Sequence, residues 1–431
     1  MKRVMQIGRK SKCATGASNR LEKELPAQLT ELVQAGELDS RVALIQALIP
    51  LGLRAVEELL QAEVTELAGE RYQRSANKAG VRWGSQRGSV YLADQKLPVQ
   101  VPRVRNRQAQ QELELLSYRG LQQPREADAG LLRKVVAGLS QRRYEECAAL
   151  APEVLGLSPA NVSRRFIQAS ARHLQQLCER RLEDYDIVAI FLDGKSFARE
   201  EILLALGITL AGDKVILGFA QTTTENERAC GGLLKDLLHR GLKLAAGVLC
   251  VIDGSKGLQA AVRKVFGEQA LVQRCQWHKR ENVVSYLASS QQHAFRQKLQ
   301  AAYAEPSYEH ALAALGQVGK ELKLINESAA RSLAEGLEET LTLQRLELSA
   351  ELGASFKTTN CLESINSQVA QRTRRVCHWR NSNQLQRWLA CALLDIEPRL
   401  RKVNGYHYLP QLRRALQREL GLVETKEALA A

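Results

Sequence analysis

Residues 189–195 read Ala-Ile-Phe-Leu-Asp-Gly-Lys, an apolar run that ends abruptly in the carboxylate of Asp193. A short apolar run bounded by a turn signal is typical of a fully buried strand. The pattern returns at residues 247–254, Gly-Val-Leu-Cys-Val-Ile-Asp-Gly, which contain Asp253. Open α/β sheets place their chemistry at the carboxyl ends of strands, so two such strands side by side would bring the carboxylates together. Such a pair attracts a divalent cation.

The elements predicted around these two strands indicate a single α/β core. After the Asp193 strand the pattern predicts two strands, at 202–210 and 214–223, and a helix at 227–242. The Asp253 strand at 247–252, a second helix at 257–266 and a short fifth strand at 271–275 follow. Three strands, helix, strand, helix, strand is the order of a ribonuclease-H-like core. Residues 278–352 have a helical pattern without a strand signal and are predicted to form a helical insertion.

A third carboxylate, Glu363, follows this insertion. Thr358 or Thr359 is predicted to cap the helix that carries Glu363. Hydrolysis or transfer at a phosphodiester needs an in-line nucleophile and charge relief on the leaving oxygen, which two Mg²⁺ ions ~3.5–4 Å apart supply. Because Mg²⁺ prefers oxygen ligands and keeps several waters, Asp193, Asp253 and Glu363 suffice as its protein ligands.

The charge of the chain favours a polyanionic partner. Its 431 residues carry 61 Lys and Arg against 47 Asp and Glu, a formal net charge of +14. Nucleic acid is the partner we expect, with an acidic membrane surface or simple solubility as alternatives. We find no apolar run of the ~18 residues that a membrane span needs. The nine cysteines lack a framework spacing, which favours reduced thiols in a cytosolic compartment.

Two segments before the core are candidates for DNA binding. Residues 71–110 are rich in Lys and Arg and include the sequence Arg-Trp-Gly-Ser-Gln-Arg-Gly at 82–88, which could track a phosphate backbone; the alternative is a solvated hairpin with a basic face. Residues 131–175 look like a helix-turn-helix, with Ser158 as N-cap and Pro159 at the first helical position. The last helix would present Arg164 and Arg165 to a major groove and turn Val162, Phe166 and Ile167 towards a core.

Other residues near the predicted strand ends have two interpretations. Lys195 and Lys256 come just after the two aspartates and could meet phosphates, or could be ordinary surface lysines. Cys275 and His278 form a single Cys-x-x-His pair, which supplies only half of a structural zinc site. We therefore favour packing, or a hydrogen bond from His278 to substrate or to a carboxylate, over metal binding.

Four motifs in this order resemble the Mutator-like DDE transposases of bacterial insertion sequences. They are Leu192–Lys195, Val251–Gly257, Arg274–Asn282 and Thr358–Asn366. The stretch from Glu57 to Arg105 also looks like the N-terminal part of that family, so the resemblance spans most of the chain.

The resemblance implies a ribonuclease-H-like core whose DDE triad is Asp193, Asp253 and Glu363. It makes Cys275 and His278 the Cys-x-x-His signature of the family. The resemblance also implies a DNA-contacting basic residue after Glu363. This chain has Val369-Ala370 where that basic residue is expected, so the choice is left among Arg372, Arg374 and Arg375. The implied cofactor is two Mg²⁺ ions, with Mn²⁺ as a substitute.

The resulting prediction is an α/β protein with a ribonuclease-H-like catalytic core, a helical insertion and mostly helical DNA-binding domains before the core. The predicted domains before the core are an N-terminal helical and basic region at 1–125 and a helix-turn-helix-like domain at 126–182. The first part of the core at 183–285, the helical insertion at 286–352 and the C-terminal part of the core at 353–431 follow. The predicted function is a DNA transposase of the bacterial cytoplasm and nucleoid. It would bind terminal inverted repeats and target DNA as a homodimer or larger assembly.

Three rival functions use the same residues differently. A ribonuclease-H-like nuclease or resolvase would cut DNA without joining it. A helix-turn-helix regulator would keep an inactive core. A zinc module would be built around Cys275 and His278.

Overall fold

The computed structural model describes residues 38–72, 78, 80–92, 95–122, 127–141, 158–197, 200–222 and 227–422. The chain divides into two compact units. Unit 1 comprises residues 1–131 and 139–166, and unit 2 comprises residues 132–138 and 167–431. The predicted first two helices of the helix-turn-helix fall in part on residues 142–157, outside the described residues. No helix within the described ranges is both long and apolar enough to cross a membrane.

Unit 1 is built on a long helix, α1 (Leu38–Ala68), and an antiparallel sheet of β1 (Gly80–Leu92), β2 (Gln95–Asn106) and β3 (Glu112–Leu113). Apolar residues at helical spacing on α1 and at alternate positions of the hairpin form its core; they include Val56, Leu60, Val64, Val90, Val99, Val101 and Val104. Gly69, at φ +82°, ends α1 in the left-handed region, a conformation that glycine adopts readily.

Three shorter helices complete the described part before the large sheet. They are α2 (Leu116–Leu121), α3 (Ala127–Val136) and α4 (Pro159–Cys178). Pro159 begins α4, and Val162 and Phe166 are buried as predicted. Ile167 is not: the prediction that it faces a core is wrong, because the side chain is 46% exposed.

Unit 2 contains a five-stranded mixed sheet in the order β6-β5-β4-β7-β8. The strands are β4 (Ile187–Phe197), β5 (Glu200–Thr209), β6 (Lys214–Thr222), β7 (Val248–Ile252) and β8 (Ala270–Arg274). β4, β5 and β6 pair antiparallel, while β4, β7 and β8 pair parallel. The predicted α/β class is thus confirmed as a mixed α/β architecture, with all five predicted strands present.

Both faces of this sheet are covered, which explains why its strands are apolar without alternation. On one face pack α5 (Glu227–His239) and α6 (Lys256–Phe266), through Leu233, Leu234, Leu237, Leu258 and Val262. On the other face pack α12 (Ser349–Phe356), α13 (Asn360–Thr373), α14 (Ser382–Ile396) and α15 (Leu409–Glu419). Phe191 and Phe356 meet on this second face with ring centroids 5.4 Å apart.

The segment between β8 and α12 is helical, as predicted. It contains α7 (Gln276–Ser285), α8 (Ser289–Ala304), α9 (Tyr308–Ile325), α10 (Glu327–Ala334) and α11 (Thr342–Arg345), with a 3₁₀ turn at Glu338–Leu341. These helices share a core of their own, which includes Val284, Phe295, Leu299, Leu315, Leu322 and Leu333. The start of this segment meets the end of α12, since the backbone N–H of Gln276 donates to the carbonyl of Lys357 at 2.8 Å.

Candidate functional site

The two aspartates lie at the same edge of the large sheet. In the parallel register of β4 and β7, Leu192 is the partner of Ile252, so Asp193 and Asp253 occupy the next position on each strand. Neighbouring strands are about 4.8 Å apart, which makes the two backbones close neighbours. Asp193 lies two residues beyond Phe191, an apolar residue of the α13 side of the sheet, and alternation along β4 directs its side chain towards that side.

The two carboxylates differ in their surroundings. Asp193 is only 6% exposed and lies within β4, where its backbone pairs with Leu204 of β5. Asp253 lies one residue beyond the end of β7, and its Oδ1 accepts a hydrogen bond from the Ser255 amide at 2.9 Å. Ser255 in turn caps α6 by accepting from the Leu258 amide. The loop after β7, rather than the sheet, therefore sets the direction of the second carboxylate.

Glu363 lies in the first turn of α13, and its side chain is 47% exposed. Its Oε1 is 3.9 Å from His278 Nε2. Thr359, directly before α13, accepts the Glu363 amide hydrogen bond through its carbonyl at 3.2 Å. The start of this helix thus holds Glu363 on the same side of the sheet as Asp193.

Thr359 has a different role from the predicted one. It occupies the N-cap position of α13, but its side chain makes no capping hydrogen bond. Its hydroxyl instead lies 3.4 Å from His278 Nδ1 and 3.8 Å from Cys275 Sγ, and the residue is fully buried. The hydroxyl therefore fixes the imidazole ring, with Nδ1 towards Thr359 and Nε2 towards Glu363.

His278 holds its proton more strongly in this cluster than a free imidazole does. Its hydrogen bond with Cys275, together with the negative charges of Cys275, Asp193 and Asp253, raises the pKa of His278 to about 9, although burial acts in the opposite direction. Burial raises the pKa of the Cys275 thiol, but the hydrogen bonds and charge of His278 outweigh it, so that the pKa is lowered. The charges of both aspartates thus contribute to the raised pKa of His278, and its Nε2 lies 3.9 Å from Glu363 Oε1.

The donor set fits Mg²⁺ in its chemistry. Asp193 and Asp253 offer carboxylate oxygens, which are the ligands that this ion prefers, and the positive charge that they attract is supplied here by His278. Glu363 is not gathered with them in this conformation. Within the described residues, no three His, Cys, Asp or Glu side chains lie close enough together to hold an ion.

The predicted phosphate-binding lysines both lie at this sheet edge. Lys195 is exposed and two residues beyond Asp193 on β4, hence on the same side of the strand. Lys256 begins α6 and is 83% exposed, with its Nζ 3.3 Å from Glu335 Oε1. Both side chains can reach solvent.

The three predicted arginines after Glu363 have different environments. Arg372 donates from Nε to Asp395 Oδ2 at 2.7 Å, in an ion pair that is largely shielded from solvent. Arg375 donates from Nη1 to the Gly138 carbonyl at 2.8 Å. Arg374 is exposed at the end of α13. Of the three guanidinium groups, that of Arg372 is the one committed to a carboxylate.

The predicted DNA-binding arginines of unit 1 lie on the first turns of α4. Arg164 is exposed, while the guanidinium carbon of Arg165 lies 6.0 Å from the ring centroid of Tyr91 on β1. Lys96 Nζ lies 5.9 Å from the same ring. Arg165 is therefore placed beside the basic hairpin that the sequence singled out.

Two residues of the site were missed as functional candidates. Thr359 was interpreted only as a cap, and nothing in its sequence context distinguishes the two uses of its hydroxyl. Arg274 ends the apolar strand β8 and is only 5% exposed. A charged residue at the end of a buried strand is a signal that could have identified Arg274, because such a charge is buried only with partners.

Comparison with known proteins identifies the family. The model described as "Transposase, Mutator family" matches residues 22–401. The transposase for insertion sequence element IS905 of Lactococcus lactis is 27% identical over 362 residues, which cover 79% of this chain and 86% of that protein. The transposase for element ISRM5 of Rhizobium meliloti is 27% identical over 384 residues (84% and 92%), and that for element IS406 of Burkholderia multivorans is 28% identical over 376 residues (81% and 92%). The chain therefore belongs to the Mutator family of transposases.

Proposed function

We propose that this protein cuts DNA at the terminal inverted repeats of its own insertion sequence and joins the freed ends to target DNA. The observation that carries the proposal is the register of β4 and β7, which puts Asp193 and Asp253 side by side at one sheet edge. The strand order, three antiparallel strands followed by two parallel ones, supports a ribonuclease-H-like core. The family membership supports DNA as the substrate.

Asp193, Asp253 and Glu363 are the residues that would hold Mg²⁺, or Mn²⁺ in its place. Two bound ions would supply an activated nucleophile and charge relief on the leaving oxygen. Glu363 has to approach the two aspartates for this, and its exposed side chain on the first turn of α13 leaves it free to rotate. His278, held at Nδ1 by Thr359, keeps its Nε2 proton directed at Glu363 and so at the reacting phosphate.

The reaction proceeds in two displacements at phosphorus. In the first, a water oxygen bonds to the phosphorus at the end of the element and the bond to the 3′ oxygen breaks, which leaves a 3′-hydroxyl and a 5′-phosphate. In the second, that 3′ oxygen bonds to a target phosphorus and displaces the target 3′ oxygen. Lys195 and Lys256 are proposed to neutralise phosphates that flank the reacting ones.

Unit 1 is proposed to bind the inverted repeats. The guanidinium carbon of Arg105 lies 4.8 Å from the ring centroid of Trp83, which is 52% exposed. Lys96 and Arg165 flank Tyr91 on the same hairpin. The cations beside these rings are suited to a phosphate backbone, and the exposed ring of Trp83 is suited to stacking on a base. Arg164, Arg374 and Arg375 are further proposed DNA contacts.

Because two ends have to be joined to one target, a homodimer or larger assembly on DNA is proposed. DNA as substrate also implies action at the nucleoid in the bacterial cytoplasm.

The test uses DNA that carries the inverted repeats flanking the gene. The purified chain with Mg²⁺ is expected to cut at the repeat ends and to join pre-cleaved ends to a second duplex. Asp193→Asn is expected to abolish both reactions and leave repeat binding intact. Cutting without joining would instead indicate a nuclease or resolvase, and binding without any cutting would indicate a regulator.

A further inference from the structure

Arg274 connects the loop after Asp253 to the helical segment between β8 and α12. Its Nη2 donates to the Gly254 carbonyl at 2.9 Å, and its Nη1 donates to the Glu335 carbonyl at 3.1 Å. Gly254 directly follows Asp253, while Glu335 directly follows α10. One buried guanidinium therefore bridges the candidate site and the helical segment.

Two glycines leave room for this guanidinium. Gly254 has φ +107°, and a Cβ on it would lie 2.5 Å from Arg274 Nη2. Gly336 has φ +60°, and a Cβ on it would lie 2.1 Å from Arg274 Nη1. Both backbone conformations favour glycine, and both contacts are too short for any side chain. The space that the guanidinium of Arg274 occupies therefore depends on Gly254 beside the candidate site and on Gly336 in the helical segment.

Further contacts hold the same turn of the helical segment. Lys279 Nζ donates to the carbonyls of Ser332 and Glu335. The Glu335 carboxylate lies 3.3 Å from Lys256 at the start of α6. Glu339 Oε1 accepts from Arg263 of α6 at 2.6 Å. The turn at residues 335–339 is thus tied both to α7 and to the element that begins just after Asp253.

The cost of burying Arg274 indicates that the bridge has a use beyond packing. Its Nε is buried and has no hydrogen-bond partner within the described residues. A buried donor without a partner is unfavourable, so a site that keeps one is a candidate for function. The two bonds that Arg274 does make are both to backbone carbonyls, and their planar geometry suits a guanidinium better than an ammonium.

We propose that Arg274 is a positioning residue that orients the carboxylate of Asp253 for metal binding, with the turn at Glu335–Gly336 as its fixed support. The inference rests on the proposed function, because it assumes that Asp253 is a metal ligand. Asp253 lies beyond the last paired residue of β7, and its contact with the Ser255 amide is internal to the loop. Arg274 supplies a restraint on this loop from outside it, through its bond to the Gly254 carbonyl, and so links the helical segment to the metal site.

The test compares Arg274→Lys and Gly336→Ala with the control Arg331→Ala in the full chain. Arg331 lies on α10, is 74% exposed and has only a 3.8 Å ion pair with Glu327. Mn²⁺ binding is measured by titration calorimetry, and cleavage of repeat DNA is measured over a range of Mn²⁺ concentrations. Thermal unfolding reports whether each variant is folded.

Both bridge variants are expected to bind Mn²⁺ about tenfold more weakly than wild type, as is typical when a residue behind a ligand is changed. They should need correspondingly more Mn²⁺ for half-maximal cleavage and recover most of the rate when it saturates. Arg331→Ala should match wild type in both measurements. Arg274→Lys, which keeps the charge, should lose as much as Gly336→Ala, which keeps the arginine.

Folded bridge variants with wild-type Mn²⁺ affinity would overturn the inference and leave the proposed function in place. Failure of both bridge variants to fold would also overturn it, since Arg274 would then be purely structural. A wild-type chain that neither binds Mn²⁺ nor cuts repeat DNA would instead overturn the proposed function, and the inference with it.

Discussion

Two of the candidate carboxylates come from strand ends and the third comes from a helix, and the two kinds of support differ. Asp193 is 6% exposed in a strand with a hydrogen-bonded neighbour on each side. Glu363 is 47% exposed on the first turn of α13, and its Oε1 lies 3.9 Å from His278 Nε2. The register of the sheet fixes the position of Asp193, whereas Glu363 is held only by its place on α13 and by the approach of His278.

The candidate site therefore combines two kinds of support. We call the two aspartates its rigid half and Glu363 its adjustable half. The sheet sets the spacing of the two aspartates before any ligand arrives, because a change in strand register would turn a whole strand over. The helix leaves Glu363 free to reorient when DNA and metal bind. We expect changes at the strand end to disturb both folding and catalysis, and changes at the helix to disturb catalysis alone.

The largest expected effect comes from changing the length of each carboxylate by one methylene group. Asp193→Glu and Glu363→Asp should each reduce cleavage of repeat DNA on the order of a thousandfold, since each carboxylate is displaced from the reacting phosphate. Asp193→Glu should also lower the free energy of unfolding by about 1–3 kcal/mol, because the strand end is packed. Glu363→Asp should leave it within about 0.5 kcal/mol. Single-turnover cleavage and urea unfolding measure the two quantities.

Asp213→Glu, in an exposed turn between β5 and β6, is the matched control and should change neither quantity. If Asp193→Glu and Glu363→Asp lower the free energy of unfolding equally, the two carboxylates do not differ in the rigidity of their support.

The next effect concerns the electrostatic link between the two halves. The folded pKa of His278 is about 9, above its ordinary value of 6.5, so its charge stabilises the fold fully below pH 6.5. This contribution is lost as the pH rises through 9. The difference in free energy of unfolding between wild type and His278→Gln should therefore be larger at pH 6 than at pH 10. The change in this difference should be at most about 3 kcal/mol. Urea unfolding over this pH range measures the difference.

His407→Gln, at an exposed histidine, serves as the comparison variant for the pH series. A gap between wild type and His278→Gln that stays constant from pH 6 to pH 10 would show that neither Cys275 nor the aspartates stabilise the protonated imidazole.

The smallest effect is expected at Thr359, whose hydroxyl orients His278. Thr359→Ala should cost about 1 kcal/mol in the free energy of unfolding, the usual contribution of one hydrogen bond. It should reduce cleavage about tenfold, because the imidazole loses its partner at Nδ1. Thr359→Ser, which keeps the hydroxyl, should restore most of the cleavage rate, and that rescue separates orientation from packing.

Thr358→Ala removes a neighbouring hydroxyl and is the control for this pair. If serine rescues no better than alanine, the contact between Thr359 and His278 has no part in catalysis.

The sequence was informative about the sheet and less so about contacts between distant segments. Apolar runs that end in Asp193 and Asp253 predicted the strands and the place of their carboxylates, because burial and strand ends leave local patterns. The hydroxyl of Thr359 has two possible partners, the amides of its own helix and the ring of His278. Only the packing of α7 against the start of α13 decides between them. The hydrogen bonds of Arg274 likewise depend on a turn sixty residues further along the chain.

Local pattern also failed at Ile167, where an apolar residue beside a buried Phe166 is exposed. Helical spacing gives the direction of a side chain but not whether another element covers it. For residues 71–110 the sequence left two interpretations open, a segment that tracks a phosphate backbone and a solvated basic hairpin. Strands β1 and β2 form a hairpin there, which is compatible with both.

The helices that cover one face of the large sheet come late in the chain, and this order has a consequence during translation. Strands β4 to β8 leave the ribosome before α13, α14 and α15, so a growing polypeptide displays apolar positions such as Phe191 and Val251 without their cover. Until synthesis passes Thr373, such a polypeptide also lacks Glu363 within its helix. We therefore expect incomplete translation products to be aggregation-prone and, if the proposed function holds, inactive on DNA until α13 is complete.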